Sequence, residues 1–115
     1  MTDRELFELA AKAAGIGVWD DEHGNTWRVY YTDPNNGLKR YTRWNPLTDD
    51  GDALRLAATL GIDIEWRADG RVAAYRHANA NGYCFTAFES SREDRAANVR
   101  RAIVRAAAEI GRNMK

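Results

Sequence analysis

The sequence predicts an α+β domain with three helices and a mostly antiparallel, twisted sheet of about five to six strands, in the order α-β-β-β-α-β-β-β-α. Three observations carry this expectation. Apolar residues recur at helical spacing in three segments, each opened by a polar capping residue and closed by a glycine. Between those segments the apolar period drops to two, with aromatic and β-branched residues in the alternating positions. The connections between the alternating runs are short and rich in Asn, Asp and Gly, which turn the chain back on itself and so make neighbouring strands antiparallel.

The first helix is expected over residues 3–14. Thr2 and Glu5 form a capping box, Leu6, Leu9, Ala10 and Ala13 make the apolar stripe, and Gly15 supplies the left-handed stop. Val18-Trp19 then precedes the polar run Asp20–Asn25, after which Trp27, Val29 and Tyr31 alternate with Arg28, Tyr30 and Thr32, as in a hairpin. Asp33-Pro34-Asn35-Asn36-Gly37 is strong turn chemistry, and a third strand should follow at Leu38–Thr42. Pro46 pushes Asn45 out of helical geometry, so Trp44–Leu47 is a connection. Thr48 or Asp49 caps the second helix, which buries Ala53, Leu54, Ala57, Ala58 and Leu60 and ends at Gly61.

Ile62, Ile64 and Trp66 alternate with Asp63 and Glu65, Asp69-Gly70 signals a hairpin, and Val72–Arg76 is the return strand. After the loop Ala78–Gly82, Tyr83–Phe88 is apolar at nearly every position and reads as a central strand. Ser91 caps the last helix, with Glu93 and Asp94 in its first turn. Val99, Ile103, Ala106, Ala107 and Ile110 form its core stripe, and Gly111 stops it.

The chain of 115 residues fits one domain, residues 1–115. Its apolar fraction of 44% and charged fraction of 30% are those of a globular protein that builds its own core. Cys84 stands alone, so no intrachain disulfide forms and a reducing compartment fits. The acidic, charged N-terminus is unlike a secretory signal, and no apolar stretch has the length of a membrane span. These features give the expectation of a cytoplasmic protein without a membrane partner. Net charge is zero but uneven: residues 1–60 carry seven Lys/Arg against ten Asp/Glu, and residues 61–115 carry ten against seven. A bipolar surface argues against nucleic acid, which wants one continuous basic face, and it allows a homodimer.

The segment Arg43–Asp52 concentrates the chemistry. It joins an aromatic, a rigid turn, an amide and three carboxylates at a helix start. As a ligand loop it would offer Trp44 as a flat platform, with Asn45, Asp49, Asp50 and Asp52 as polar readers. Trp27, Tyr75 and Arg76 would add stacking and a phosphate contact. As structure, the acids would favour the helix dipole by about 0.3–1 kcal/mol each, and the Trp-Asn-Pro turn would plug an edge of the core. Either reading fits the sequence.

A metal site is not expected. Asp49, Asp50 and Asp52 are crowded into one turn, the segment from Asp33 has Trp44 where a calcium loop needs Glu, and His23, His77 and Cys84 lack zinc spacing. Gly15-Ile16-Gly17 lacks the rest of a phosphate-binding glycine loop, and Cys84 with His77 makes a poor catalytic pair, because a thiol in apolar company is inert. No cofactor is therefore expected and no catalytic residue is assigned. On the last helix, Arg101, Arg105 and Arg112 share a side roughly opposite the core stripe. They form either a solvated face or a surface for an acidic partner.

Three segments, ELFELAAKAAG at 5–15, WNPLTDDGDALRLA at 44–57 and RRAIVRAAAEIG at 100–111, together resemble a set of small phage- and prophage-encoded proteins. The resemblance implies a genomic origin and carries no mechanism. With it, the sequence points to a non-enzymatic accessory protein in the cytoplasm of a bacterial host. Its partner would be a host protein, such as a defence factor, met through the arginine helix, or a small molecule such as a nucleotide, sequestered at the Trp-Asn-Pro loop. A metal-dependent hydrolase using Asp49 or Asp52 is the third and weakest reading.

Overall fold

The computed structural model describes residues 2–68, 71–77, 84–89 and 94–114, the side chains of 77 and 84–89 excepted. The expected Asp69-Gly70 turn, the 78–82 loop, Tyr83, the Ser91 cap and Glu93 lie outside the described residues. The chain runs α1 (Asp3–Ala14), β1 (Val18–Asp20), β2 (Thr26–Thr32), β3 (Lys39–Arg43), α2 (Asp50–Leu60), β4 (Asp63–Trp66), β5 (Val72–His77), β6 (Cys84–Glu89) and α3 (Arg95–Arg112). The class is α+β, and every strand pairing is antiparallel.

The strands do not form one sheet. They make two three-stranded meanders, sheet A in the order β1-β2-β3 and sheet B in the order β4-β5-β6. Each pairing joins strands that are neighbours in sequence, and α2, anchored by its own buried stripe, stands between the third and fourth strands and ends the first ladder. β6 lies at an edge of sheet B, and β5 takes the centre that the apolar run at 83–88 suggested for β6. α3 packs along both β5 and β6.

Helix ends follow local chemistry. The Thr2 hydroxyl accepts the Glu5 N–H at 3.1 Å, and Gly15 closes α1 at a φ of 69°. Asp49 is the cap of α2, accepting the Asp52 N–H at 2.8 Å. On α3 two expectations change. Asp94 is the cap, accepting the Ala97 N–H, so no acid lies in the first turn; and the helix passes through Gly111 to end at Arg112. Gly111 is there for packing. A Cβ on it would come within 2.8 Å of the Leu9 carbonyl carbon, so only a hydrogen at that position lets α1 and α3 meet at this depth.

The core lies among the helices and sheet B. Leu6, Leu56, Val72, Ile103, Val104 and Ile110 are its larger aliphatic members. Alanines fill the close approaches: Ala10, Ala74, Ala102, Ala106 and Ala107 are completely buried or nearly so. Of the helix-two residues expected inside, Leu54 and Ala58 face solvent instead, while Leu56 takes the buried position. No residue between 18 and 43 is buried, so sheet A stands off the core. The molecule is elongated as a result, with extents of 52 × 36 × 22 Å.

Candidate functional site

Sheet A is built around Trp27. Its register sets Trp19 opposite Trp27 on one side and Arg43 opposite it on the other, with Val29 opposite Tyr41. Cross-strand partners share a face and strand neighbours alternate. Trp19, Trp27, Val29, Tyr41 and Arg43 therefore occupy one face, and Asp20, Thr26, Arg28 and Thr42 the other. The polar face turns toward the helices. Asp20 and Thr26 line a cleft shared with Arg4 and Phe7 of α1, and Arg28 and Thr42 line one shared with Asp52 and Arg55 of α2. The aromatic face turns outward, which inverts the usual arrangement of a sheet beside a core.

The outward face is ordered by specific contacts. Trp19 and Trp27 stack at 6.1 Å between ring centroids and 14° between planes, and Tyr41 meets Trp19 edge-on at 5.6 Å. The Arg43 guanidinium lies over Trp27 at 5.7 Å and donates to the Asn25 side-chain carbonyl. Trp27 is fixed at its edge by the bond from its Nε1–H to Asp21 Oδ2 at 2.9 Å. That bond, the backbone amides of Asn25 and His23 and the Asn25 side chain hold the Asp21 carboxyl well below the usual carboxylate range, against a smaller opposing effect of burial. Trp19 and Tyr41 remain 44% and 41% exposed.

A bulge at Tyr30 shifts the register between Val29 and Tyr31 and sets Tyr31 opposite Arg40. Tyr31 thereby crosses to the face opposite Val29, and the simple alternation expected along this strand ends there. Arg40 lies over the Tyr31 ring at 5.8 Å.

The central loop is placed differently from its reading as a ligand platform. Trp44 is 2% exposed and packs on Phe7 with centroids 5.7 Å apart, so its ring is a core plug that offers no face to a ligand. Asn45 turns its side-chain oxygen onto the Leu47 and Thr48 amides, an Asx turn. Buried Asp52 accepts the Asn45 N–H at 2.9 Å and pairs with Arg55 at 2.7 Å. Asp49 caps α2, and Asp50 pairs with Arg100 at 2.6 Å, while Arg100 Nε also donates to the Leu47 carbonyl. Each of the three carboxylates thus holds this loop or α2 in place.

The other predicted readers do not converge on that loop. Trp27 belongs to the outward face of sheet A. Tyr75 and Arg76 belong to β5, where Arg76 Nη1 donates to the Leu60 carbonyl. Asn45, Asp49 and Asp52 do line a polar cleft of about 420 Å³, joined there by Arg43 of the same segment and by Arg28 and Arg55, which the sequence had not singled out. Arg101 and Arg105 are exposed on α3, and Arg112 pairs with Glu109 at 3.3 Å. Among the described residues no group of three or more His, Cys, Asp or Glu comes together as a metal site.

A second exposed apolar feature is a groove of about 440 Å³ between α2, β4 and α3, lined by Leu54, Ile64, Trp66, Val99 and Ile103. No helix among the described residues is long and apolar enough to cross a membrane. The residues missed by the sequence reading were Trp19 and Tyr41, while Arg43 had been read with the central loop and not with this sheet. The signal for Trp19 was symmetry, since Trp19 and Trp27 are equidistant from the midpoint of the turn centred on His23. No family model, curated protein or solved structure matches the chain.

Proposed function

We propose that this protein is a non-enzymatic binding protein whose partner docks on the outward aromatic face of sheet A. One observation carries the proposal: a sheet without a buried residue keeps Trp19, Trp27 and Tyr41 in an ordered cluster on the side away from the helices. Aromatic rings supply large contact area at low conformational cost, and they need a reason to stay in water. The carboxylates that a hydrolase would use support the same reading, because Asp49 and Asp52 already serve the α2 cap and the Asn45 turn. The resemblance to phage and prophage proteins makes the natural setting an accessory role in a bacterial cytoplasm, with a host component as the partner.

The test is to incubate the pure protein with bacterial extract, re-isolate it and record its native mass. A component carried by the parent chain and lost from a Trp19→Ala/Tyr41→Ala double variant supports docking on sheet A. Retention by that variant, with loss on Arg101→Glu/Arg105→Glu, moves the partner surface to α3.

A further inference from the structure

The outward face of sheet A has a chemistry that selects among partners, and the following rests on the docking reading above. Lys39 and Arg43 lie on this face of the edge strand β3, and neither pairs with a carboxylate among the described residues; Arg40, opposite Tyr31, belongs to the other face. Of the acids of the same sheet, Asp20 pairs with Arg4 at 3.0 Å, while Asp21 and Asp33 accept from the neutral N–H groups of Trp27 and Asn35, which leave their charge in place. The face therefore joins exposed rings to unneutralised cations, and no strand position on it carries an acid. Residues 18–43 carry four Lys/Arg against four Asp/Glu, so what distinguishes this face is where the charges sit on the strands and not an excess of one sign.

We infer that sheet A binds single-stranded nucleic acid, its bases stacking on Trp19 and Tyr41 and its phosphates running along Lys39 and Arg43. Every base has a π-face, so stacking on an aromatic platform is tolerant of sequence, and guanidinium groups next to the rings add to it. A single strand presents bases and phosphates together. A duplex hides its base faces and needs a broader basic surface than two cations on one strand. An acidic protein surface would use the cations and leave the rings idle. Trp27, held by Asp21 and covered by Arg43, is the floor on which the exposed Trp19 lies.

The experiment is fluorescence anisotropy of a labelled oligothymidylate of about 15 nucleotides, titrated with the full chain at about 50 mM and 200 mM salt. Saturable binding is expected, weakening with salt at a log–log slope of about −1.4 for two phosphate contacts. Trp19→Ala/Tyr41→Ala should weaken it by roughly 25-fold or more, at five-fold or more per ring. Trp19→Phe/Tyr41→Phe should restore most of it, which separates lost stacking from a disturbed sheet. Lys39→Gln/Arg43→Gln should lower the salt slope, and Arg101→Glu/Arg105→Glu should leave binding unchanged.

Absence of binding at the lower salt by the folded parent chain overturns the inference, as does equal affinity for a duplex of the same length. If the oligonucleotide does not bind, yet a nuclease-resistant protein component from extract is lost from the Trp19→Ala/Tyr41→Ala variant, the nucleic-acid inference fails while docking on sheet A stands. Indifference of both assays to that variant removes both.

Discussion

Sheets A and B share one topology and use it in opposite ways. Each is a three-stranded antiparallel meander following a helix. In sheet B the central strand brings Val72, Ala73 and Ala74 to 1% exposure or less, and α3 lies against it. Short side chains allow that close approach, and the core gains dense packing in return. In sheet A the central strand carries Trp27, Arg28, Val29 and Tyr30, none of them buried. Its order comes from cross-strand pairs and from rings that pack on one another, so its surface stays available. The lesson is that side-chain size, more than strand propensity, decides which sheet joins the core and which is presented to solvent.

The comparison breaks most readily at the tryptophans. Trp44→Ala removes a buried ring from the core side and should cost about 3–5 kcal/mol in urea unfolding. Trp19→Ala, on the presented sheet, should cost under about 1 kcal/mol. Equal losses would mean that sheet A is part of the cooperative core.

Close packing on the core side is sharpened by Gly111→Ala. The added methyl meets the Leu9 backbone, so α1 and α3 must separate, at a cost of about 1–3 kcal/mol in thermal or chemical unfolding. A variant as stable as the parent would show that the helices can slide apart freely. Asp52→Ala strips the Asn45 N–H of its acceptor and should lose about 1–3 kcal/mol, whereas Asp52→Asn, which keeps an acceptor, should lose less. If both cost the same, the charge pairing with Arg55 matters more than the loop hydrogen bond.

The smallest effect is expected from acid, on sheet A. Asp21 titrates lower in the folded chain than in the unfolded one, so its contribution is fully present above the ordinary carboxylate pKa of about 4. It fades as pH falls below that value toward the depressed folded pKa. Circular dichroism of the coupled Trp19–Trp27 pair in the folded chain should therefore hold constant through about pH 4 and weaken only as the pH approaches the depressed folded pKa. In Asp21→Asn that acid-dependent step should disappear. Persistence of the step in the variant would place its origin in another group.

Legibility in the sequence was uneven for physical reasons. Helix positions were readable because capping and apolar spacing are local: Thr2, Gly15, Asp49 and Gly61 each act within one turn of chain. The last helix misled at both ends. Asp94 is a capping residue as good as Ser91, and a glycine that stops a helix looks, in sequence, like one that lets another helix approach. The polar residues of the Trp44–Asp52 segment were found as a cluster. Their partners, Arg55, Arg100 and the amides of the Asn45 turn, depended on how the loop folded back. Trp27 was singled out, but Trp19, Tyr41 and Arg43 joined it only through strand register, and the Tyr30 bulge leaves no mark in the amino-acid pattern.

The sequence by itself determined three helices, antiparallel strands, their order and a cluster of aromatic and charged residues, because periodicity, capping and turn preference are properties of neighbouring residues. Tertiary structure decided that the strands divide into two sheets, that Trp44 is buried while Trp19 is presented, and that Lys39 and Arg43 share a face with Trp19 and Tyr41. Those outcomes depend on which surfaces fit together at the expense of water, and that competition is settled between elements far apart in the chain.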